Sequence, residues 1–337
     1  MWHREASPIF ISYGHINDIS NFVQDNKVIA IIQFSQSCEV HPQDARRITV
    51  GLPLLESPNT IEVWYADRPF TAVCEDDIAC AFTEDVLFGH LLIDEKHFSS
   101  LAQATNYGYQ RLQQYLKRLG FRYLLRLWNY FPRINLEENG LERYRSFCLG
   151  RHEALRGLDD FETSLPAASV IGTQANHIQI YFLAAKQQGI QIENPRQVSA
   201  FHYPKQYGPK SPSFSRAFLK HWGPHRHLYI SGTASIKGYV SQHPNDLLMQ
   251  TEETLDNIEN LISHANEQED LGISGIGALS FFKVYMRGLE GVAEIKRIIS
   301  SRVRSKVPML FLRGDICRSD LLVEIEGAYI EGYESTA

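Results

Sequence analysis

Across residues 1–95 the apolar positions come in short runs cut by Pro, Asn, Ser and Asp. Val28–Phe34 (VIAIIQF), Arg47–Leu52 and Thr60–Trp64 are rich in β-branched and aromatic residues and predict strands, as does Phe88–Ile93. The period then changes. Apolar residues at Leu101, Tyr109, Leu112, Tyr115, Leu116 and Leu119 predict a helix over Phe98–Leu119, with Gly120 placed as its C-cap. Phe121–Asn129 (FRYLLRLWN) predicts a buried strand, Leu141–Leu155 a shorter helix, and Asn176–Gln188 another helix stopped by Gly189. In Gln197–Pro224 the residues Pro204, Gly208, Pro209, Pro212, Gly223 and Pro224 rule out a long regular element. That segment also carries Lys205, Lys210, Arg216, Tyr203 and Tyr207, binding chemistry beyond what a linker needs.

The C-terminal part has the clearest pattern. Leu228–Ser231 predicts a strand entering a Gly-Thr turn. Asn245 or Asp246 caps a helix with Leu248, Leu255, Ile258, Leu261 and Ile262 on its apolar face. Ser280–Met286, Met309–Arg313 and Asp320–Glu326 predict strands around a second helix, Val292–Val303. Helices on one face of a sheet make a two-layer α/β unit whose second face needs a cover. In the last strand, LLVEIEG, Leu321, Val323 and Ile325 point one way and Leu322, Glu324 and Glu326 the other. Two carboxylates roughly 6–7 Å apart therefore share one face, as a solvated sheet surface or as a site.

Composition narrows the classes. The 337 residues are 44% hydrophobic and 21% charged, which describes a folded globular protein. Lys plus Arg number 33 against 39 Asp plus Glu, a net charge of −6 that offers no global attraction to nucleic acid. Five scattered cysteines fit neither a disulfide scaffold nor a zinc site and suit a reducing compartment. No leader-like segment opens the chain, and no apolar run approaches the roughly 20 residues of a membrane span. The expectation is a cytoplasmic protein without membrane or nucleic-acid partners.

No cofactor or metal motif is present. Gly272, Gly275 and Gly277 do not form a dinucleotide or phosphate loop, and the pairs His177 with His202 and His225 with His227 lack further ligands. Residues 126–151 instead bring Arg126, Arg133, Arg143, Arg145 and Arg151 among aromatics. Guanidinium forks match carboxylates, although surface ion pairs explain some of these arginines equally well.

RLWNYFPRIN (Arg126–Asn135), YRSFCLGR (Tyr144–Arg151), SLPAASVIGT (Ser164–Thr173), YISGTASIKG (Tyr229–Gly238) and DICRSDLLVEIEG (Asp315–Gly327) together resemble the chorismatase family. These enzymes cleave the enolpyruvyl ether of chorismate and release pyruvate. The C-terminal part also resembles the YjgF/RidA family, trimers with a ligand site between subunits. The implied fold is α+β, two YjgF/RidA-like halves fused in one chain, with helices on one sheet face and the other face at the domain interface. Residues 1–196 would form a degenerate N-terminal half, 197–226 a pocket-lining connection and 227–337 the C-terminal half, so a monomer is expected. The arginine that deaminating YjgF/RidA members carry before the last strand has no clear match, since Ile316-Cys317 stands there.

The resemblance implies Glu324 as catalytic acid, protonating the vinyl ether; Glu326, two residues on, would support it by raising its pKa or by holding water. A proton donor working at neutral pH needs burial or a like-charged neighbour of this kind. For the two substrate carboxylates it implies Arg145, Arg151, Arg216 and Tyr203, with Lys205 and Tyr207 in reserve. Gly232 and Thr233 would form a turn that admits close backbone approach. Neither metal nor organic cofactor is required for an acid-labile enol ether. Cys317 resembles the subgroup that aromatises the ring to 3-hydroxybenzoate, some members also forming 4-hydroxybenzoate. Hydrolysis to a dihydroxycyclohexadiene carboxylate, a RidA-like enamine/imine hydrolase and a small-anion binding protein are the alternatives.

Overall fold

The computed structural model describes residues 7–39, 41–157, 161–303 and 307–333. Its first strands follow the β-branched runs: β1 (Ile9–His15), β2 (Val28–Phe34), β3 (Arg47–Val50) and β4 (Thr60–Ala66), with the short helix α1 (Ile19–Gln24). They pair in the order β1-β4-β2-β3, and β2 and β3 run parallel. Next come β5 (Thr71–Glu75), β6 (Ile78–Phe82), β7 (Val86–Ile93), helix α2 (Leu101–Leu119) and β8 (Tyr123–Pro132). Ser100 caps α2 by accepting the Gln103 N–H, and Gly120 closes it in the left-handed conformation at φ 80°. After the small hairpin β9 (Glu137–Glu138) and β10 (Leu141–Glu142) follow α3 (Arg143–Leu155), β11 (Ala167–Thr173) and β12 (Ile178–Ala185).

The third group is β13 (Ile190–Ile192), β14 (Ala217–Trp222), β15 (His225–Ala234), the hairpin β16 (Ile236–Lys237) and β17 (Val240–Ser241), and α4 (Leu247–Glu269). It ends with β18 (Phe281–Met286), α5 (Val292–Arg302), β19 (Met309–Arg313) and β20 (Val323–Ile330). The two six-stranded sheets run β5-β6-β7-β12-β8-β11 and β13-β14-β15-β20-β18-β19. The two orders are the same pattern. In both, the fourth and fifth strands of the group are parallel, joined by a helical crossover, and the last strand inserts antiparallel between the third and fourth. These are the two fused halves. The four-stranded sheet repeats the last four positions of the same pattern as a truncated third unit.

Each sheet keeps one face under its own helices and turns the other inward. Leu101, Leu112 and Phe147 pack with Leu127 and Ile180 on the helix side of the second sheet. Leu255, Ile258, Ile295 and Ile299 do the same against Val284, Val323 and Ile325 in the third. The inward faces meet in one central cluster that includes Ile32, Trp64, Phe88, Trp128, Tyr181, Phe281 and Tyr285. Apolar burial on both faces is what gives these sheets their near-continuous hydrophobic runs.

That double burial explains the expected helix that is not one. Ile178–Ala185 is buried at every position and forms strand β12, because a run without an exposed face carries no periodicity to identify it. Other expectations move less. Asp246 caps α4 by accepting the Met249 N–H, but Leu248 is 40% exposed and lies off the apolar face. Leu321 precedes the last strand and packs in the central cluster, not under the helices. The boundaries at 196/197 and 226/227 do not follow the strands: β13 and β14 already belong to the third large sheet, and residues before 186 contain two large sheets and the β9-β10 hairpin. Prolines and glycines flanking AFLKHW hide β14 in the sequence.

Candidate active site

Where β11, the edge of the second sheet, meets β15 of the third, main chain and side chain interlock. Ala167 bridges Ser215, the Ala168 N–H donates to Ser231 Oγ at 2.8 Å, and Gly172 bridges Asp315. A cleft opens at this seam, about 760 Å³ of space counting its open mouth. Glu324 lies on its floor. Tyr144 and Arg145 of α3 form one side, and Cys317 and Arg318, from the loop before β20, form another. Tyr203, Tyr207, Phe214 and Arg216 from the irregular segment close over it.

Gly232 sits against the floor, and a Cβ there would lie 1.9 Å from Glu324 Oε1. Only glycine leaves the carboxyl where it is. Glu324 is 5% exposed, and its pKa is pushed up to about 8 by burial first and the Glu326 charge second, with Arg126 opposing. Glu326, two residues on, is held quite differently. Its Oε2 accepts from Arg126 Nη2 at 2.7 Å, from the Tyr285 hydroxyl at 3.0 Å and from Ser169 Oγ. Its Oε1 accepts from Trp128 Nε1 at 2.6 Å. Lys283 Nζ stands 3.6 Å away. Burial works against the Glu326 charge, but Arg126, Lys283 and these hydrogen bonds outweigh it and hold the pKa below the usual carboxylate range. The expected pair is therefore split, one carboxylate and one neutral acid, on a single strand face.

Arg216 is 4% exposed and donates from Nη2 to the Val198 carbonyl at 2.7 Å and to the Tyr203 hydroxyl at 2.9 Å. Its Nε has no hydrogen-bond partner. Arg318 lies over the Tyr207 ring at 4.2 Å and donates from Nη1 to the Tyr239 carbonyl and Ser241 Oγ. Among the described residues neither arginine has an acidic ion-pair partner, whereas Arg145, which is half-exposed, pairs with Glu142 at 3.1 Å. Cys317 is a neutral thiol, its pKa pushed up to about 12 by burial and by the Glu324 charge.

The structure thus brings together Glu324, Arg145, Arg216, Tyr203, Tyr207, Cys317 and Gly232, with Glu326 directly behind. It does not bring Arg151. That side chain is 1% exposed and stacks over Tyr109 of α2 at 5.2 Å, because six positions along α3 turn it roughly 120° around the helix from Arg145. Thr233 also turns away, its hydroxyl donating to the Ser231 carbonyl at 2.9 Å, since neighbours on a strand alternate. Lys205 is exposed and outside the cleft. Arg318 is the residue that sequence reasoning passed over, though it directly follows Cys317 in the stretch inspected for an arginine. Among the described residues no three His, Cys, Asp or Glu are grouped to hold a metal. His227 is buried between Ser7 and Tyr229, and burial lowers its pKa to about 3. No described helix is long and apolar enough to cross a membrane.

Residues 62–184 match the family described as chorismatase FkbO/Hyg5-like, N-terminal. The chain is 35% identical over 315 residues to a 3-hydroxybenzoate synthase of Streptomyces hygroscopicus, covering 89% of this chain and 91% of that one. It is 39% identical to a chorismatase of the same organism, over 79% of this chain and 78% of that one. A chorismatase crystal structure superimposes with a TM-score of 0.85 at 32% identity, over 96% of this chain and 99% of its own.

Proposed function

Because the chain belongs to the chorismatase family, we propose that it cleaves the enolpyruvyl ether of chorismate, releasing pyruvate and 3-hydroxybenzoate. The observation that carries this reading is the neutral Glu324 carboxyl on the cleft floor beside an ionised Glu326. Protonation of the terminal methylene of the ether by Glu324 creates an oxocarbenium-like centre. Capture of that centre by the substrate's own hydroxyl, loss of pyruvate and loss of a ring proton leave the aromatic acid. The two products together contain every atom of chorismate, so no water or oxidant is consumed. Arg216, whose acidic neighbour Glu193 lies beyond ion-pair distance, and Arg318 suit the two carboxylates of the substrate, with Arg145 at the mouth. Both walls of the cleft come from one chain, which supports a monomeric working unit.

The test is purified protein with chorismate and no added cofactor, pyruvate being followed through lactate dehydrogenase and the second product by chromatography. Equimolar pyruvate and 3-hydroxybenzoate are expected. A dihydroxycyclohexadiene acid as sole product places the protein in the hydrolytic subgroup, and chorismate binding without pyruvate release makes it an anion-binding protein.

The arginines divide in a further experiment. Arg216→Ala is expected to lower kcat/KM by about 30-fold to 10³-fold, since a substrate carboxylate loses a buried charged partner. Arg151→Ala, outside the cleft lining, leaves KM near wild type. Steady-state kinetics with melting curves separate the two. A raised KM in a folded Arg151→Ala protein contradicts the assignment.

A further inference from the structure

Behind the cleft floor lie charges that the cleft does not touch. Lys283 on β18 and Glu62 on β4 are both 0% exposed. Lys283 Nζ is 2.8 Å from Glu62 Oε2 and 3.1 Å from Oε1, and it also reaches the Tyr181 hydroxyl at 3.3 Å and Glu326 at 3.6 Å. Trp64 Nε1 donates to Glu62 at 2.6 Å. β4 belongs to the first sheet, β8 with Arg126 to the second, and β18 and β20 to the third. One buried network is therefore assembled from all three sheets.

Buried charges persist where they are compensated. Arg126 and Lys283 supply two positive charges, Glu62 and Glu326 two negative ones, and the sum is zero only while Glu324 holds its proton. We propose that Glu62 is a positioning residue for the acid: brought in on the first sheet, it neutralises Lys283, so that the ammonium 3.6 Å from Glu326 does not cancel the like charge that faces Glu324. The inference rests on Glu324 as the general acid. It gives the truncated first unit, which contributes nothing to the cleft lining, a part in the reaction.

The surrounding groups leave this balance intact. Tyr13 of β1, Tyr130 of β8, Tyr181 of β12 and Tyr285 of β18 face the network, and burial raises each hydroxyl well above its ordinary range, so all stay neutral. Toward Glu324 the facing groups are Tyr144 of α3 and Cys317, both also raised by burial, the cleft cations Arg145, Arg216 and Arg318, and Glu142, which pairs with Arg145. Burial lifts Glu62 above the usual carboxylate range, while Lys283 and Trp64 pull it back.

The experiment measures pyruvate release from chorismate by the full chain from about pH 5.5 to about pH 9.5, each protein scaled to its own low-pH plateau. Glu62→Gln leaves Lys283 uncompensated, and the alkaline limb is expected to move down by about one pH unit. Lys283→Met removes the cation, and the limb stays or moves up. Glu62→Gln combined with Lys283→Met removes both charges and restores the wild-type limb. Coincident limbs for Glu62→Gln and wild type overturn the proposal, as does a double variant shifted as far as Glu62→Gln. If Glu62→Gln alone does not fold, a downward shift in Lys283→Met or in the double variant is the overturning result. Wild-type protein that releases no pyruvate removes the proposed function instead, a different failure from limbs that fail to move.

Discussion

Glu324→Gln is expected to slow pyruvate release by at least about 10²-fold while making the folded chain more stable. Glutamine keeps the shape and the hydrogen-bonding capacity but delivers no proton. The stability effect follows from where the proton sits. In the folded chain the carboxyl holds its proton up to about pH 8, whereas unfolded it ionises near its ordinary value of 4.5. Between those values the folded state binds more protons than the unfolded one, so wild-type stability falls as pH rises from about 4.5 to about 8. The full loss is of the order of 3–5 kcal/mol, and the amide escapes it. Melting curves at about pH 5 and about pH 8.5 check this, the variant gaining most at the higher pH. The same titration places the alkaline limb of wild-type turnover near pH 8, since the acid works only while protonated. A folded Glu324→Gln protein with near-wild-type turnover removes the acid from the mechanism.

Glu326→Gln is expected to cost the fold about 3–5 kcal/mol, because Arg126 loses its buried carboxylate and Lys283 keeps only Glu62. Reasoning from the strand alone assigns Glu326 the milder phenotype of the two. For turnover at low pH that ordering stands, but for stability the network reverses it. Loss of the like charge also lets Glu324 ionise sooner, so the alkaline limb moves to lower pH. Urea unfolding at constant m, with a pH profile of pyruvate release, measures both effects. Wild-type stability together with an unmoved limb is the result that sinks the network as the source of the acid's proton affinity.

Local pattern was enough for much of this molecule. The runs at Val28–Phe34 and Met309–Arg313 mark their strands to the residue, because β-branched and aromatic side chains bounded by turn formers leave few alternatives. Gly120 and Asp246 mark helix ends by backbone freedom and by capping, both short-range effects. Alternation in the last strand put Glu324 and Glu326 on one face, and the family resemblance singled out Glu324 as the proposed acid. At Ile178–Ala185 the same logic failed: with both faces buried, no polar positions remain to reveal a period of two.

What the pattern could not carry was the company each charge keeps. Arg145 and Arg151 look interchangeable in sequence, yet the helix turns one toward the cleft and the other onto Tyr109. Arg318 stands beside Cys317, and only the closure of Tyr203 and Tyr207 around it makes it part of the site. Glu62 meets Lys283 across 221 positions of chain, and Arg126 meets Glu326 across 200. Period and propensity act over a few residues, and so they determine strands, caps and the side each residue faces. A carboxyl's proton affinity depends on every charge within several ångströms in a poorly screened interior. The packing of three sheets around one core decides those distances, and with them which of two neighbouring glutamates holds the proton.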